Sequence, residues 1–306
     1  MERAVIHLNV ADFAVAVERA IDPRLAGRPI IIAPGKTSRT AVYDMSDEAY
    51  RSGIRKGMLL GRAGRLCRDA AVIAPHMDRY DRAMHALLKQ ALPYSPLIES
   101  GPDDGHLFMD VTGTHRLLGP PVDIAWRLHR QIKNNLGLNP IWSVAPSKLM
   151  AKVASRLVKP VGEYIVGPGD ESAVLAPLPL CLVPGIEKAD LIRLHEFNLT
   201  HVFQITALSL AQLQLPFGRR APFIYETVRG IDGSPVLPVG QSPPVISVGH
   251  EFSEDTNDAP ALERHLYRLV EQAGHRLRKR CLAARRIGIF LNYTDGKRCI
   301  RQARAR

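Results

Sequence analysis

This chain has few of the features that tie a protein to a membrane or to an oxidising compartment. No apolar run approaches the roughly 20 residues that a membrane-spanning helix requires, and the start lacks a signal-peptide pattern. Only four cysteines, Cys67, Cys181, Cys281 and Cys299, are scattered through 306 residues. They show neither metal-ligand spacing nor a dense disulfide framework, so they are expected as reduced thiols in a cytoplasmic protein that makes no membrane contact. Acids are also short relative to bases: 30 Asp and Glu against 41 Lys and Arg leave a formal charge of +11.

That imbalance is local. From Leu262 to the end there are 13 Lys or Arg against 3 acids, so +10 of the charge sits in the last 45 residues. Such clustering is the footprint expected of a surface that neutralises nucleic-acid phosphates, with Arg276, Arg278, Lys279, Arg280, Arg285, Arg286, Lys297 and Arg298 as candidate contacts. A solvated basic face or basic tail would look the same in charge alone. The spacing of Leu262, Leu266, Leu269, Val270, Ala273 and Leu277 by threes and fours adds an apolar helix face, from which Arg264, Arg268, Arg278 and Arg280 lie largely aside. A strand is expected at 286–293, ended by Thr294-Asp295-Gly296, where Asp-Gly favours a hairpin turn. At 306 residues the chain is too long for one ordinary core, and about two to four compact units are expected.

The run His106-Leu107-Phe108-Met109-Asp110-Val111-Thr112-Gly113 resembles the palm strand of the Y-family (translesion, UmuC/DinB-like) DNA polymerases. In that family the run reads Ser-Ile-Asp-Glu-Ala-Tyr-Leu-Asp-Val-Thr, and its Asp-Glu pair binds catalytic magnesium. Laid without gaps, the pair falls on Gly105 and His106. The opening segment from Ile6 to Glu18 is similar to the family's Ile-Asp-Met-Asp-Ala-Phe-Phe-Ala-Ser-Val-Glu, which puts Asn9 and Ala11 at the two Asp positions. Two-metal chemistry needs acidic oxygens to hold two hard cations roughly 3.5–4 Å apart. Glycine supplies no ligand, and a neutral imidazole suits zinc or copper better than magnesium. The resemblance is closest to ImuB-type accessory proteins, which keep the fold and lose the metal ligands.

The nucleotide-facing positions depart together. The family's sugar gate falls on Ala14 beside a retained Phe13, and the fingers Tyr and Arg that touch the triphosphate fall on Asp47 and Tyr50, with Arg51 displaced by one. Lys148 and Lys152 in Ser143-Val144-Ala145-Pro146-Ser147-Lys148-Leu149-Met150-Ala151-Lys152 match family lysines. They read either as a phosphate-binding remnant or as solvated lysines of a helix start. Structural positions survive in Asp22-Pro23-Arg24-Leu25-Ala26-Gly27-Arg28-Pro29, Gly57, Met58, Asp110 and Gly113.

The resemblance spans essentially the whole chain and implies an α/β (α+β) multidomain fold. The expected layout is an antiparallel palm from 1–11 and 76–165, fingers 12–75, a helical thumb 166–233, a linker 234–243 and a partial little-finger domain 244–306. In the thumb, Pro184-Gly185-Ile186 resembles a helix-hairpin-helix turn in which Gly185 lets backbone N–H groups approach a phosphate, although Glu187 replaces the second glycine. Arg219 and Arg220 are further DNA candidates, and Ser247-Val248-Gly249-His250-Glu251-Phe252 is expected as the first strand of the last domain. Gln212-Leu213-Gln214-Leu215-Pro216-Phe217 resembles a sliding-clamp peptide but falls where the thumb needs core contacts.

Three functions compete on these residues. The first is a pseudoenzyme with no catalytic site and no metal, which binds primer-template or damaged DNA and works beside other translesion proteins. The second is an active nucleotidyltransferase whose magnesium is held by relocated acids such as Asp12, Asp103 and Asp104. That shift of one or two residues turns side chains to the other strand face. The third is a protein adaptor.

Overall fold

In a computed structural model the chain divides into two compact units, 1–242 and 243–306. The structure describes residues 2–35, 37–101, 104–239, 246–250, 252, 255–279, 281–293 and 298–304.

The chain begins with β1 (Val5–Asn9), fully buried, and turns at Asp12 into α1 (Phe13–Ile21). A small three-stranded sheet follows from β2 (Ile30–Ile32), β3 (Asp44–Met45) and β4 (Ala71–Ile73), with α2 (Asp47–Arg51) and α3 (Leu60–Leu66) between the last two. Ile31, Val42, Met45, Ile54 and Leu60 form its own core. Ser46 caps α2 by accepting from the Ala49 N–H, which satisfies one of the free donors of a helix start.

The larger layer is built from α4 (Met77–Ala91), β5 (Ile98–Ser100), β6 (His106–Asp110), α5 (His115–Leu118), α6 (Pro121–Leu136), β7 (Ile141–Ala145), α7 (Lys148–Leu157) and β8 (Glu163–Ile165). Its sheet runs in the order β5-β6-β1-β7-β8. The expected antiparallel palm sheet is therefore mixed, because β7 and β8 are parallel. They are joined through α7, and a crossover helix is what parallel neighbours require. Strand alternation sends Ile6, Leu8, Leu107, Met109, Trp142 and Val144 to one face, under α4 and α6. Buried Glu18 clamps α1 to α4 by accepting from His76 at 2.8 Å, Arg79 at 2.7 Å and the Tyr80 hydroxyl at 3.1 Å.

The rest of the first unit is helical: α8 (Glu171–Leu175), α9 (Lys188–Glu196), α10 (Val202–Thr206), α11 (Leu210–Phe217) and α12 (Ala221–Thr227). Leu194, Val202, Ile205, Leu213, Phe217 and Ile224 bury a common core with α7. In the clamp-like peptide Leu213 and Phe217 are thus core residues, while Leu215 is exposed. The start of the expected linker is held down. Arg3 donates to the Asp232 and Ser234 carbonyls, Asp232 accepts from the Leu149 N–H at 2.8 Å, and Val236 is buried.

In the second unit α13 (Ala259–Lys279) precedes an antiparallel hairpin of β9 (Arg286–Asn292) and β10 (Arg298–Arg304). Of the expected apolar face, Leu262, Leu269, Ala273 and Leu277 are half-buried along α13, while Leu266 and Val270 are exposed. The strand expected over 247–252 is not formed: residues 246–250 and 252 have no regular structure, and Glu251 lies outside the described residues. A strand persists only where a neighbour takes its backbone donors, and none of the described residues pairs with this segment. The hairpin turn at 294–296 also lies outside the described residues.

Candidate nucleic-acid site on the palm

The side of the large sheet that faces α7 is set by its register. Asn9 lies opposite His106 and His7 opposite Phe108, so all four side chains share the face opposite the α4/α6 core. Position 105 lies just before β6, where its carbonyl accepts from the Val10 N–H at 2.9 Å. The residues expected at the metal-ligand positions are therefore brought together, apart from Ala11, which sits in the turn before α1.

Their chemistry is that of neutral groups. The Ser155 hydroxyl donates to the Lys152 carbonyl at 3.0 Å, so its lone pair accepts from His7 Nδ1–H at 2.8 Å. His7 Nε2 is then an acceptor, and His106 Nδ1–H donates to it at 3.0 Å. The chain leaves His106 Nε2 as a bare lone pair. Burial, followed by the charges of His106 and Lys152, holds the His7 imidazole well below its ordinary pKa. Burial and then Lys152 push His106 down to about 3. Phe108 stacks on His7 with ring centres 4.3 Å apart.

Gly105 is more than a missing carboxylate. Its φ of +75° lies in the left-handed region, and a Cβ there would stand 2.9 Å from Phe13 Cβ, Phe13 Cδ2 and the Val10 carbonyl oxygen. Asn9 is 1 % exposed, and its buried Nδ2 has no hydrogen-bond partner.

Among the described residues the acids Asp12, Asp44 and Asp104 lie nearby, and Asp103 lies outside the described residues. Asp12 ends the turn in a left-handed conformation, φ 48° and ψ 52°, without capping α1 through its side chain. Burial first, and then the charge of Asp44, raise its pKa to about 6. Asp104 accepts from the His106 N–H at 3.1 Å, and burial raises its pKa as well. Among the described residues no three His, Cys, Asp or Glu side chains are grouped to hold a metal ion. Paired magnesium ions ask for several converging carboxylate oxygens. One amide, a glycine, a neutral imidazole and acids that the described residues do not group into a three-ligand set do not fit them.

The surrounding positions are mostly engaged. Ala14 is buried and its N–H donates to Asp44 at 3.0 Å, while Asp44 pairs with Lys56 at 2.8 Å. Asp47 pairs with Arg51 at 2.5 Å, and the Arg55 guanidinium lies 3.8 Å from the centre of the half-exposed Tyr50 ring. Lys148 is bound by both oxygens of Glu99 at 2.7 Å, and Glu99 also accepts from the Leu237 N–H, so this lysine is a staple rather than a free phosphate contact. Lys152 makes no ion pair among the described residues and stands 6.0 Å from the Phe108 ring centre. Sequence reasoning missed His7 and Glu99. The period-two pattern that makes Ile6 and Leu8 core residues already put His7 on the same strand face as Asn9.

Of the thumb candidates, Gly185 is at φ +87° with the Phe223 ring where a Cβ would go. Arg220 donates to the Gly185 carbonyl at 2.9 Å and pairs with Asp190 and Glu187, which takes it out of the set of free cations; Arg219 is exposed. In the second unit Arg278, Lys279, Arg285 and Arg286 are exposed, and Arg276 donates to the Ser247 carbonyl at 3.1 Å. Arg304 stands directly opposite Arg286, and Arg298 pairs in register with Asn292 at the other end of the hairpin. Arg280 and Lys297 lie outside the described residues.

Known proteins share this layout. The impB/mucB/samB family matches residues 8–156 and its C-terminal domain matches 243–306. DNA polymerase IV of Alkalilimnicola ehrlichii is 33 % identical, over 100 % of this chain and 85 % of the relative. DNA polymerase IV of Halorhodospira halophila is 32 % identical, over 96 % and 82 %. Among solved structures, the Y-family DNA polymerase chimera Dbh-Dpo4(243-245)-Dbh superposes with a TM-score of 0.83 at 18 % identity, covering 99 % of this chain and 88 % of the other. DinB from Sulfolobus solfataricus gives 0.71 at 19 %, with the same coverage. At those identities the structures speak for the fold, and the sequence relatives carry the assignment: the chain belongs to the impB/mucB/samB family, the Y-family DNA polymerases.

Proposed function

We propose that this protein binds primer-template or damaged DNA as a non-catalytic member of its family and supports translesion synthesis carried out by another polymerase. The observation that carries the reading is the Gly105 backbone: its left-handed conformation and the Phe13 ring leave no room for the carboxylate that two-metal transfer needs there. The neutral His7–His106 pair supports it, because an imidazole with a pKa of about 3 neither balances divalent charge nor takes a proton near neutral pH.

DNA binding is supported by the relatives, which are named DNA polymerase IV, and by the exposed cations of the second unit. A complex of Dbh DNA polymerase with its substrates has the same fold as this chain at 19 % identity. Other translesion proteins or a sliding clamp as partners, a cytoplasmic location and independence from magnesium belong to the same proposal. No helix among the described residues is long and apolar enough to cross a membrane.

The test is primer extension by the purified chain with magnesium and with manganese, alongside oligonucleotide binding at rising salt. Salt-sensitive binding without templated synthesis is expected. Robust synthesis would establish the alternative, an active polymerase with metal held by Asp12 and Asp104. Binding that does not weaken between about 50 and 200 mM salt would favour the adaptor.

A further inference from the structure

The outer side of α6 carries a surface that none of this uses. The helix buries Ile124, Ala125, Leu128 and Ile132 against the sheet face that points away from His7, Asn9 and His106. Its opposite side, together with α5, leaves Leu117 at 90 % and Trp126 at 47 % exposure. Beside Trp126 lies a cleft of about 420 Å³ walled by Leu118, Gly119, Asp123, Trp126 and Arg127, and Leu117 is the chain neighbour of its Leu118 wall.

Cations frame this apolar pair. The Arg130 guanidinium lies 4.8 Å from the Trp126 ring centre. Arg127 is fixed by donating to the Asp123 and Leu118 carbonyls and stands 5.8 Å from the Tyr94 ring centre. Arg116 and Lys133 are exposed alongside. None of these four makes an ion pair among the described residues, and Asp123 is the one acid in the cleft wall. Single exposed apolar residues are ordinary, but a Trp and a Leu beside a concavity, ringed by pre-positioned arginines, have the composition of an interface centre.

We propose that this surface docks a short acidic, amphipathic peptide segment of a protein partner. Charge complementarity selects the acid: carboxylates meet Arg116, Arg127 and Arg130, while a large apolar side chain enters the cleft over Trp126. A phosphate backbone fits less well, because it brings no apolar group to cover the exposed Leu117 and Trp126. Since α6 lies behind the sheet, such a partner would leave the palm face that carries His106 free.

The test is selection from a library of random 12-residue peptides on the immobilised full chain, with counter-selection on the Trp126→Ala/Arg130→Glu variant checked for folding by circular dichroism. Peptides kept by the first and lost by the second are expected to be net acidic and to carry an aromatic or large aliphatic residue. One such peptide should bind about thirtyfold more weakly to Leu117→Glu, a change at a position with almost no packing to lose, while oligonucleotide binding stays unchanged. The proposal is overturned if no enriched peptide depends on Trp126 and Arg130, or if the enriched set is neutral or basic. It is equally overturned if Leu117→Glu lowers oligonucleotide binding in step with peptide binding.

Discussion

Phe13 fills the space that any side chain at position 105 would need, with its Cβ and Cδ2 each 2.9 Å from the Cβ that Gly105 lacks. The absence of a side chain at 105 is therefore written into the backbone and the core packing, not only into the choice of residue. Phe13 is itself held, 3 % exposed and edge-on to Tyr80 with ring centres 6.4 Å apart.

It follows that restoring the acids does not restore the reaction. The triple variant Asn9→Asp/Gly105→Asp/His106→Glu is expected to remain without templated synthesis and to lose about 2–4 kcal/mol of stability. The loss comes from the strained left-handed residue, the clash with Phe13 and buried charge without cations. Denaturant unfolding and primer extension check both halves. Synthesis by this variant would mean that Phe13 moves aside at little cost.

The paired imidazoles set the acid limb of stability. A histidine whose folded pKa lies below its unfolded value of about 6.5 favours the folded state above that value and withdraws this support as pH falls toward the folded pKa. For His106 that window runs from about 6.5 down to about 3. His106→Gln keeps a donor for His7 Nε2 and removes one titration, so it should lessen the stability lost between pH 7 and pH 4.5 by on the order of 1–2 kcal/mol. Unfolding curves at several pH values read this directly, and parallel wild-type and variant profiles would contradict it.

Asp12 acts with the opposite sign. Its folded pKa of about 6 is raised, so its contribution is fully present below the unfolded carboxylate range and is lost as pH rises through 6. Asp12→Asn suits the left-handed backbone and carries no charge for Asp44 to repel. A gain on the order of 1–2 kcal/mol at pH 8, vanishing below about pH 4, is expected from thermal or chemical unfolding.

The fold was legible because its signals are local and repeated. Alternation in Ile6–Leu8 and Leu107–Met109 and threes and fours in α13 specify faces before any contact is known. That positions 9, 105 and 106 come together was legible too, since it needs only register. What escaped depends on long-range partners. Nothing near Lys148 in the sequence foretells Glu99 across the sheet, or that Arg220 would be taken up by Asp190. The parallel β8 and the unpaired 246–250 segment escaped for the same reason, because strand pairing is decided by whichever neighbour arrives.

On the hairpin, Arg286 and Arg304 face each other across the strands, an arrangement that is unfavourable until an anion sits between them. Arg286→Ala should weaken oligonucleotide binding similarly for different sequences and lower the slope of log K against log salt by about 1. Titrations at four salt concentrations measure that slope. An unchanged slope would remove this face from the DNA contact.

The two palm lysines, alike in sequence, should part company in experiment. Lys148 is half-buried and bound through both Glu99 oxygens, and Glu99 also holds the Leu237 N–H; removing the cation leaves a partly buried carboxylate with one donor. Lys148→Met is expected to cost about 1–3 kcal/mol of stability and to leave the salt slope of DNA binding alone. Lys152 makes no ion pair among the described residues, and burial, followed by the neighbouring Arg156 charge, lowers its pKa, so its ammonium gains most from an incoming phosphate. Lys152→Met is expected to stabilise the free protein slightly and to weaken DNA binding with a shallower salt slope. The reverse pattern would make Lys148 the phosphate contact and Lys152 an ordinary helix lysine.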